Sequence, residues 1–144
     1  YCFKLYFCGS DRAYIDRIIE NRIECVYENW SLENEPAIYD NLDIGIMPLP
    51  DDVWSKGKGG YKLMLYMAMK KVAIASSVGI NTVIADEGKN SFLVKPGESW
   101  YQKVKYVLDN YNKIGYIADN ARSKIHLEYS LEKIAPNYLK AISL

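Results

Sequence analysis

No apolar run in this sequence approaches the ~20 residues that a bilayer-spanning helix needs, and nothing like a signal peptide opens it. Neither sign of charge is in excess. Eighteen lysines and arginines balance eighteen acidic residues, so the basic stripe of a general nucleic-acid binder is absent. The three cysteines, Cys2, Cys8 and Cys25, are odd in number and contain no C-x-x-C spacing. A disulfide framework or a zinc site is therefore not expected, and a reducing compartment, the cytoplasm, is. Histidine occurs once, at His126 in a charged helical stretch, where a surface or interhelical position is expected rather than a catalytic one. Repeats and low-complexity segments are lacking too. The first residue is Tyr1, already within a strand-like run, and the chain is expected to be a piece of a longer protein.

What is present is 144 residues with 49% hydrophobic and 25% charged content, enough for one domain with a core. Phe3, Leu5 and Phe7 alternate with Lys4 and Tyr6, predicting a strand that ends at Gly9-Ser10-Asp11, where Ser10 or Asp11 caps a helix carrying Ile15, Ile18 and Ile19. Cys8 at the strand end is expected to be a small buried residue. A second strand is predicted over Ile23 to Tyr27, then a loop Glu28-Asn29-Trp30. Ser31 is expected to cap the next helix, with Glu33 and Glu35 in its first turn. Asp43 to Pro50 reads as a buried strand stopped by prolines, and Pro50 to Gly60 as a loop. Tyr61 to Met69 predicts a helix with Lys70 and Lys71 at its end. Val72-Ala73-Ile74-Ala75 predicts a parallel strand buried on both faces. Val83-Ile84, a turn at Asp86 to Asn90, and Phe92-Leu93-Val94 add a helical turn and a strand.

From Pro96-Gly97 onward, apolar residues recur at helical spacing, with Pro136 expected to kink the last helix or mark a false start before it. Strands alternating with helices, followed by a helical tail over 97–144, predict an α/β, Rossmann-like three-layer domain with a mainly parallel sheet. Ligands of such sheets sit outside the carboxyl ends of the strands.

The stretch Trp54-Ser55-Lys56-Gly57-Lys58-Gly59-Gly60-Tyr61-Lys62 stands after a strand and before a helix, at such an end. Its glycines let the backbone approach a ligand and adopt positive φ. The helix that follows offers free N–H groups and a positive dipole end to an anion, and Lys56, Lys58 and Lys62 suit a diphosphate. The spacing matches neither a Walker A loop nor a dinucleotide fingerprint. On composition alone, a solvated loop with lysines for solubility explains the stretch equally well.

The succession Leu42-Asp43-Ile44-Gly45-Ile46-Met47-Pro48-Leu49-Pro50, Lys62-Leu63-Met64-Leu65-Tyr66-Met67-Ala68 and Val72-Ala73-Ile74-Ala75-Ser76 resembles the donor-binding domain of retaining glycosyltransferases of the GT-B architecture, in family 4, or group 1. Gly79, then Gly88-Lys89-Asn90-Ser91-Phe92-Leu93-Val94, and the tail residues Ala121-Arg122 and Tyr129-Ser130 match later blocks of the same family in order. The resemblance covers nearly the whole chain and implies that residues 1–144 form one donor-binding domain, half of a GT-B fold. It implies that Lys58, Gly59, Gly60, Tyr61 and Lys62 meet the donor's phosphates and sugar, and that Gly9, Ser10, Trp30 and Leu65 lie where the nucleoside is held. The family's Glu-x7-Glu pair falls on Gly57 and Leu65, neither of them acidic, and Leu65 cannot hydrogen-bond a ribose. Lys62 stands where many members have proline.

The resemblance further implies metal-independent chemistry with no cofactor, the nucleotide-sugar being a substrate. The Arg/Lys pair that grips the diphosphate and the acceptor-binding domain are expected upstream of Tyr1, so this piece alone is expected to bind a donor weakly and to catalyse nothing. The implied function is transfer of a sugar from a nucleoside-diphosphate donor to a glycan or lipid-linked saccharide, in a bacterial polysaccharide pathway. The implied place is the cytoplasm, with the full-length protein peripheral to the membrane. A non-catalytic nucleotide-sugar or glycan-binding module of the same fold stays open, motivated by the absent glutamates. A receiver-type signalling domain fits less well, because Gly9-Ser10 and Pro48-Leu49 stand where its acidic cluster belongs. Asp51-Asp52 is expected to be solvated, and Trp54 either to pack the loop down or to stack on a base.

Overall fold

The computed structural model describes residues 2–9, 12–19 and 23–142, in two compact units, Tyr1–Leu42 and Asp43–Leu144. In the first unit, β1 (Leu5–Cys8) pairs in parallel with β2 (Cys25–Glu28), Leu5 opposite Cys25 and Cys8 opposite Glu28. Helix α1 (Arg12–Ile19) connects them, and α2 (Glu35–Asp40) follows. The second strand begins two residues later than the apolar run suggests, and Ile23 is exposed. Phe7 stacks on Tyr27 across the pair, with ring centroids 5.8 Å apart. Cys8 is half-buried rather than buried. Ser10 and Asp11 lie outside the described residues.

Helix α2 corrects one expectation. Its N-cap is Asn34, with Pro36 in the first turn, so it starts four residues after Ser31. Proline has no N–H and fits a helix only in its first turn. A helix begun at Ser31 would have placed Pro36 in the interior. Ser31 instead closes a tight turn, its hydroxyl accepting from Asn34 N at 3.2 Å.

The second unit is built on a parallel sheet of order β3-β4-β5, from Ile44–Met47, Val72–Ser76 and Phe92–Val94. Ile44 stands opposite Val72 and Ile74 opposite Phe92. Because side chains alternate, Ile44, Val72, Ile74, Phe92 and Val94 share one face. That face packs with Val107 of α6 (Trp100–Asn110) and Ile117 and Ala118 of α7 (Gly115–Lys124) into one buried cluster. The other face carries Met47 together with Gly45, Ala73 and Ala75, and the last three are small enough for a helix to come close. There α4 (Tyr61–Ala68) lays the Tyr66 ring on Gly45: a Cβ at Gly45 would lie 2.2 Å from Tyr66 Cγ. Leu63 and Met67 of α4 are fully buried, each contributing about 2 kcal/mol of apolar transfer. As expected of a two-sided parallel strand, every residue of β4 is buried.

Two shorter helices, α3 (Val53–Lys56) and α5 (Asn81–Ile84), lie in the connections. The first corrects the reading of Pro50 to Gly60 as loop throughout: Asp52 accepts from Ser55 N at 2.7 Å and caps a helical turn that Gly57 ends. The tail continues through a 3-10 turn (Tyr111–Lys113), α7, a π turn (Ile125–Tyr129) and α8 (Leu131–Ile142). Helix α8 runs through Pro136 without stopping and buries none of its residues, so its apolar stripe, Leu131, Ile134, Tyr138, Leu139 and Ile142, is exposed. His126 is exposed on the π turn. Among the described residues no helix is long and apolar enough to cross a membrane.

Candidate functional site

The glycine loop leaves the carboxyl end of β3 and is anchored at each turn. The Ser76 hydroxyl, at the end of β4, donates to Leu49 O and accepts from Leu49 N, both at 2.8 Å, tying the chain after β3 to the neighbouring strand. Asp52 then starts α3. Its carboxyl is held below the usual carboxylate range by the Ser55 N–H, with Lys58 and Lys56 adding to the effect. Lys56 is raised by Asp51, whose carboxylate it meets at 2.8 Å. Asp51 and Asp52 thus have an ion-pair and a capping role.

Past Gly57 the chain enters α4 through Gly59 and Gly60, which differ sharply. Gly60 is buried and left-handed, φ +68°, and a Cβ there would lie 2.5 Å from Ile84 Cδ1 and 2.9 Å from Ile80 Cγ2. Gly79, at φ +55°, is equally constrained, since its Cβ would lie 2.7 Å from Lys56 O. These two glycines let the segment leading into α5 and the glycine loop touch. A Cβ at Gly59 would meet nothing within 4 Å, so the loop is open there. Gly60 offers α4 no side-chain cap, and the first turn of a helix has N–H groups that the helix itself does not use. Lys58 and Lys62 flank this point, both exposed, and neither forms an ion pair among the described residues. An anion there would meet backbone donors, a positive helix end and lysine charge together.

Tyr61, 62% exposed, stands at the first position of α4. Gly57 closes α3, and Leu65 is half-buried in α4, so neither family glutamate position carries a polar side chain. Trp54 does not pack the loop down: it is 79% exposed, beside Val53 at 89%. Hollows lie at both ends of the sheet among the described residues. One, of about 220 Å³, sits at the carboxyl ends of the strands among Leu49, Asp51, Ser76, Val94, Lys95 and Trp100, lined by the start of the glycine loop but by none of its glycines. The other, of about 270 Å³, lies at the amino end of β4, where Lys70 meets Asp119 at 2.6 Å. Parallel sheets place ligands at the carboxyl ends, the end at which the smaller hollow lies. Among the described residues no three His, Cys, Asp or Glu side chains cluster as metal ligands.

In the first unit, Gly9 ends β1 at φ +67°, and its N–H donates to Glu28 O at 3.1 Å. A Cβ on Gly9 would meet Trp30 Cβ at 3.5 Å. The structure therefore brings the predicted pair Gly9 and Trp30 together. Ser10, predicted beside them, is outside the described residues. Trp30 is 56% exposed, and its indole N–H donates to Glu35 Oε1 at 2.9 Å. Sequence reasoning missed Glu35, reading it only as a helix-end charge.

The sequence profile described as "Glycosyl transferases group 1" matches residues 2–110. No curated protein matches the chain. Among solved structures, the sucrose-phosphate synthase of Thermosynechococcus elongatus superposes with a TM-score of 0.74 at 15% identity, over 99% of this chain and 38% of its own. The Anabaena protein HepE in complex with UDP-glucose gives 0.65 at 19% identity, over 97% of this chain and 40% of its own. The C-terminal domain of the group 1 family glycosyl transferase LpcC of Francisella tularensis gives 0.62 at 22% identity, over 83% of this chain and 60% of that one. The chain thus spans less than two thirds of each, and its fold is the Rossmann-like α/β fold of these GT-B proteins.

Proposed function

The chain belongs to the group 1 glycosyl transferases, and on that premise we propose that it binds the nucleoside-diphosphate sugar from which the full-length protein transfers a sugar, with retention, to a saccharide acceptor. The observation that carries this reading is the entry to α4. A glycine-opened loop at the carboxyl end of a parallel sheet leads into a helix start without a side-chain cap, flanked by the exposed Lys58 and Lys62. The catalytic contribution is electrostatic. Backbone N–H groups and the two lysines stabilise the charge that grows on the diphosphate as it leaves. Lys58, Gly59, Gly60, Tyr61 and Lys62 are assigned to the phosphates and sugar, and Gly9, Ser10, Trp30 and Leu65 to the nucleoside. No catalytic residue, metal or cofactor is assigned to this chain. The acceptor is assigned to a part of the full-length protein outside this chain, and the full-length protein to the cytoplasmic side of a membrane. HepE, related in fold, is solved with UDP and with UDP-glucose, which makes a uridine nucleotide the first donor to test.

The test is donor turnover by the full-length protein, with the product's anomeric configuration read by NMR. Lys58→Ala and Lys62→Ala are each expected to lower turnover about tenfold and the product to keep the donor's configuration. Unchanged turnover in both variants would remove the lysines from the site, and an inverted product would remove retention. Binding without turnover by the intact protein would favour a non-catalytic module, for which Gly57 and Leu65 in place of the family's acids would be the reason.

A further inference from the structure

The Trp30 loop is braced more heavily than its exposure would suggest. Asn34 ties down both neighbours of Trp30: its Nδ2 donates to Asn29 O at 2.6 Å, and its Oδ1 accepts from Ser31 N at 2.8 Å. Ser31 returns the bond, its Oγ accepting from Asn34 N, and its carbonyl accepts from Glu35 N at 3.1 Å. The backbone on either side of the indole is thereby fixed, which leaves the ring only its two side-chain torsions. The bond from the indole N–H to Glu35 Oε1, at 2.9 Å, closes the rotation. An indole has one polar group, and here it is satisfied inside the loop by a half-buried carboxylate. Trp30 as a whole is 56% exposed, and with its N–H bonded the indole turns an apolar surface to solvent beside the left-handed Gly9 that ends β1. A large aromatic held still with its faces wet is costly for folding, but it suits stacking on a flat heterocycle. Stacking tolerates any base and needs no hydrogen-bond readout.

We infer that Glu35 is a positioning residue for the donor's nucleoside: it locks the Trp30 indole, through Nε1, as a preorganised stacking face for the base. This rests on the donor-binding reading above and names a device within it. Glu35 acts through Trp30 and is not given a contact with the nucleotide. Preorganisation removes the entropy that ordering a side chain would otherwise cost at binding. The gain therefore appears in nucleotide affinity and is absent for a ligand that has the diphosphate but no base.

The experiment compares UDP, GDP and inorganic pyrophosphate on the full-length protein by calorimetry, with the Trp30 indole N–H resonance, assigned through Trp30→Phe, as reporter. Glu35→Ala is expected to weaken binding of the preferred nucleotide about fivefold and to leave pyrophosphate within twofold. Glu35→Gln, which keeps a carbonyl acceptor for the indole, is expected to restore affinity to within twofold of wild type. In a Trp30→Phe background, which keeps a ring but has no N–H to lock, Glu35→Ala is expected to cost nothing further. Equal losses for nucleotide and pyrophosphate, accompanied by a lower melting temperature, would make Glu35 merely structural and overturn the proposal. So would an undiminished nucleotide affinity in Glu35→Ala. Failure of the wild type to bind any nucleotide, or binding that leaves the Trp30 resonance unmoved, would instead reject the site on which the proposal rests.

Discussion

The glycine loop of the second unit and the Trp30 loop of the first are both placed at strand ends, but they are held in opposite ways. The glycine loop is held by contact. Gly60 and Gly79 leave out side chains so that Ile80, Ile84 and the Lys56 backbone can close in. The Trp30 loop is held by side chains that bond back to it, from Ser31, Asn34 and Glu35. The first is damaged by adding one carbon, the second by deleting one acceptor. Contact fixes where a backbone lies, whereas returning hydrogen bonds also fix how a side chain is turned, which is what an aromatic face requires.

The largest effect that would test this contrast is expected at Gly79. In Gly79→Ala the new methyl meets backbone rather than a flexible side-chain tip, and the left-handed φ is strained as well. A loss of about 3 kcal/mol is expected by denaturant titration. Gly60→Ala should approach that figure, its neighbours being Ile84 and Ile80 side chains that can shift. If both variants melt like wild type, the loop is not held by contact. Asn34→Ala removes both braces around Trp30 and should cost about 1 kcal/mol, with the Trp30 indole resonance broadening or moving.

A third kind of anchor, charge, holds the turn before β5. Asp86 accepts from Lys124 Nζ at 2.9 Å, and this bond holds its carboxyl below the ordinary range while raising Lys124. A carboxyl lowered in the folded state adds stability that is full above its unfolded value, about 3.9. That stability is lost as pH falls through the folded value. The denaturation midpoint of the wild type should therefore exceed that of Asp86→Asn at pH 6, and the gap should shrink toward pH 3. A gap independent of pH would show that the pair does not act through charge. The smallest effect is expected at Gly59, where Gly59→Ala should change stability by less than about 0.5 kcal/mol, because a Cβ there meets nothing. Any effect of that variant should appear in donor turnover instead.

The second unit was legible in sequence wherever local preference and burial agree. Val72 to Ala75 is uniformly apolar and is buried throughout. Tyr61 to Met69 consists of helix formers and forms α4, ending at Ala68. Legibility failed where one short-range bond overrides composition. Asp52 caps a turn of helix inside a stretch rich in proline and glycine, and Pro36 moves the start of α2 away from Ser31. The periodic stripe of α8 correctly predicted a helix, but periodicity says nothing about what covers it, and the stripe is exposed. At the candidate site, the residue types of the glycine loop were visible in sequence. The division of labour between Gly59 and Gly60 was not, because it depends on Ile80 and Ile84 some twenty positions away. Glu35 escaped notice for a related reason: its partnership with Trp30 spans a turn that matches neither helix nor strand spacing.

The Ser76 hydroxyl that holds both polar groups of Leu49 makes the loop's first step all-or-none. A segment tied through a single bond can swing about it, but one tied through donor and acceptor of the same residue must release both before it moves. The Leu49 amide should therefore exchange with solvent deuterium on the clock of the sheet rather than of the loop, which makes it a built-in indicator of whether a substrate reshapes the site or merely enters it.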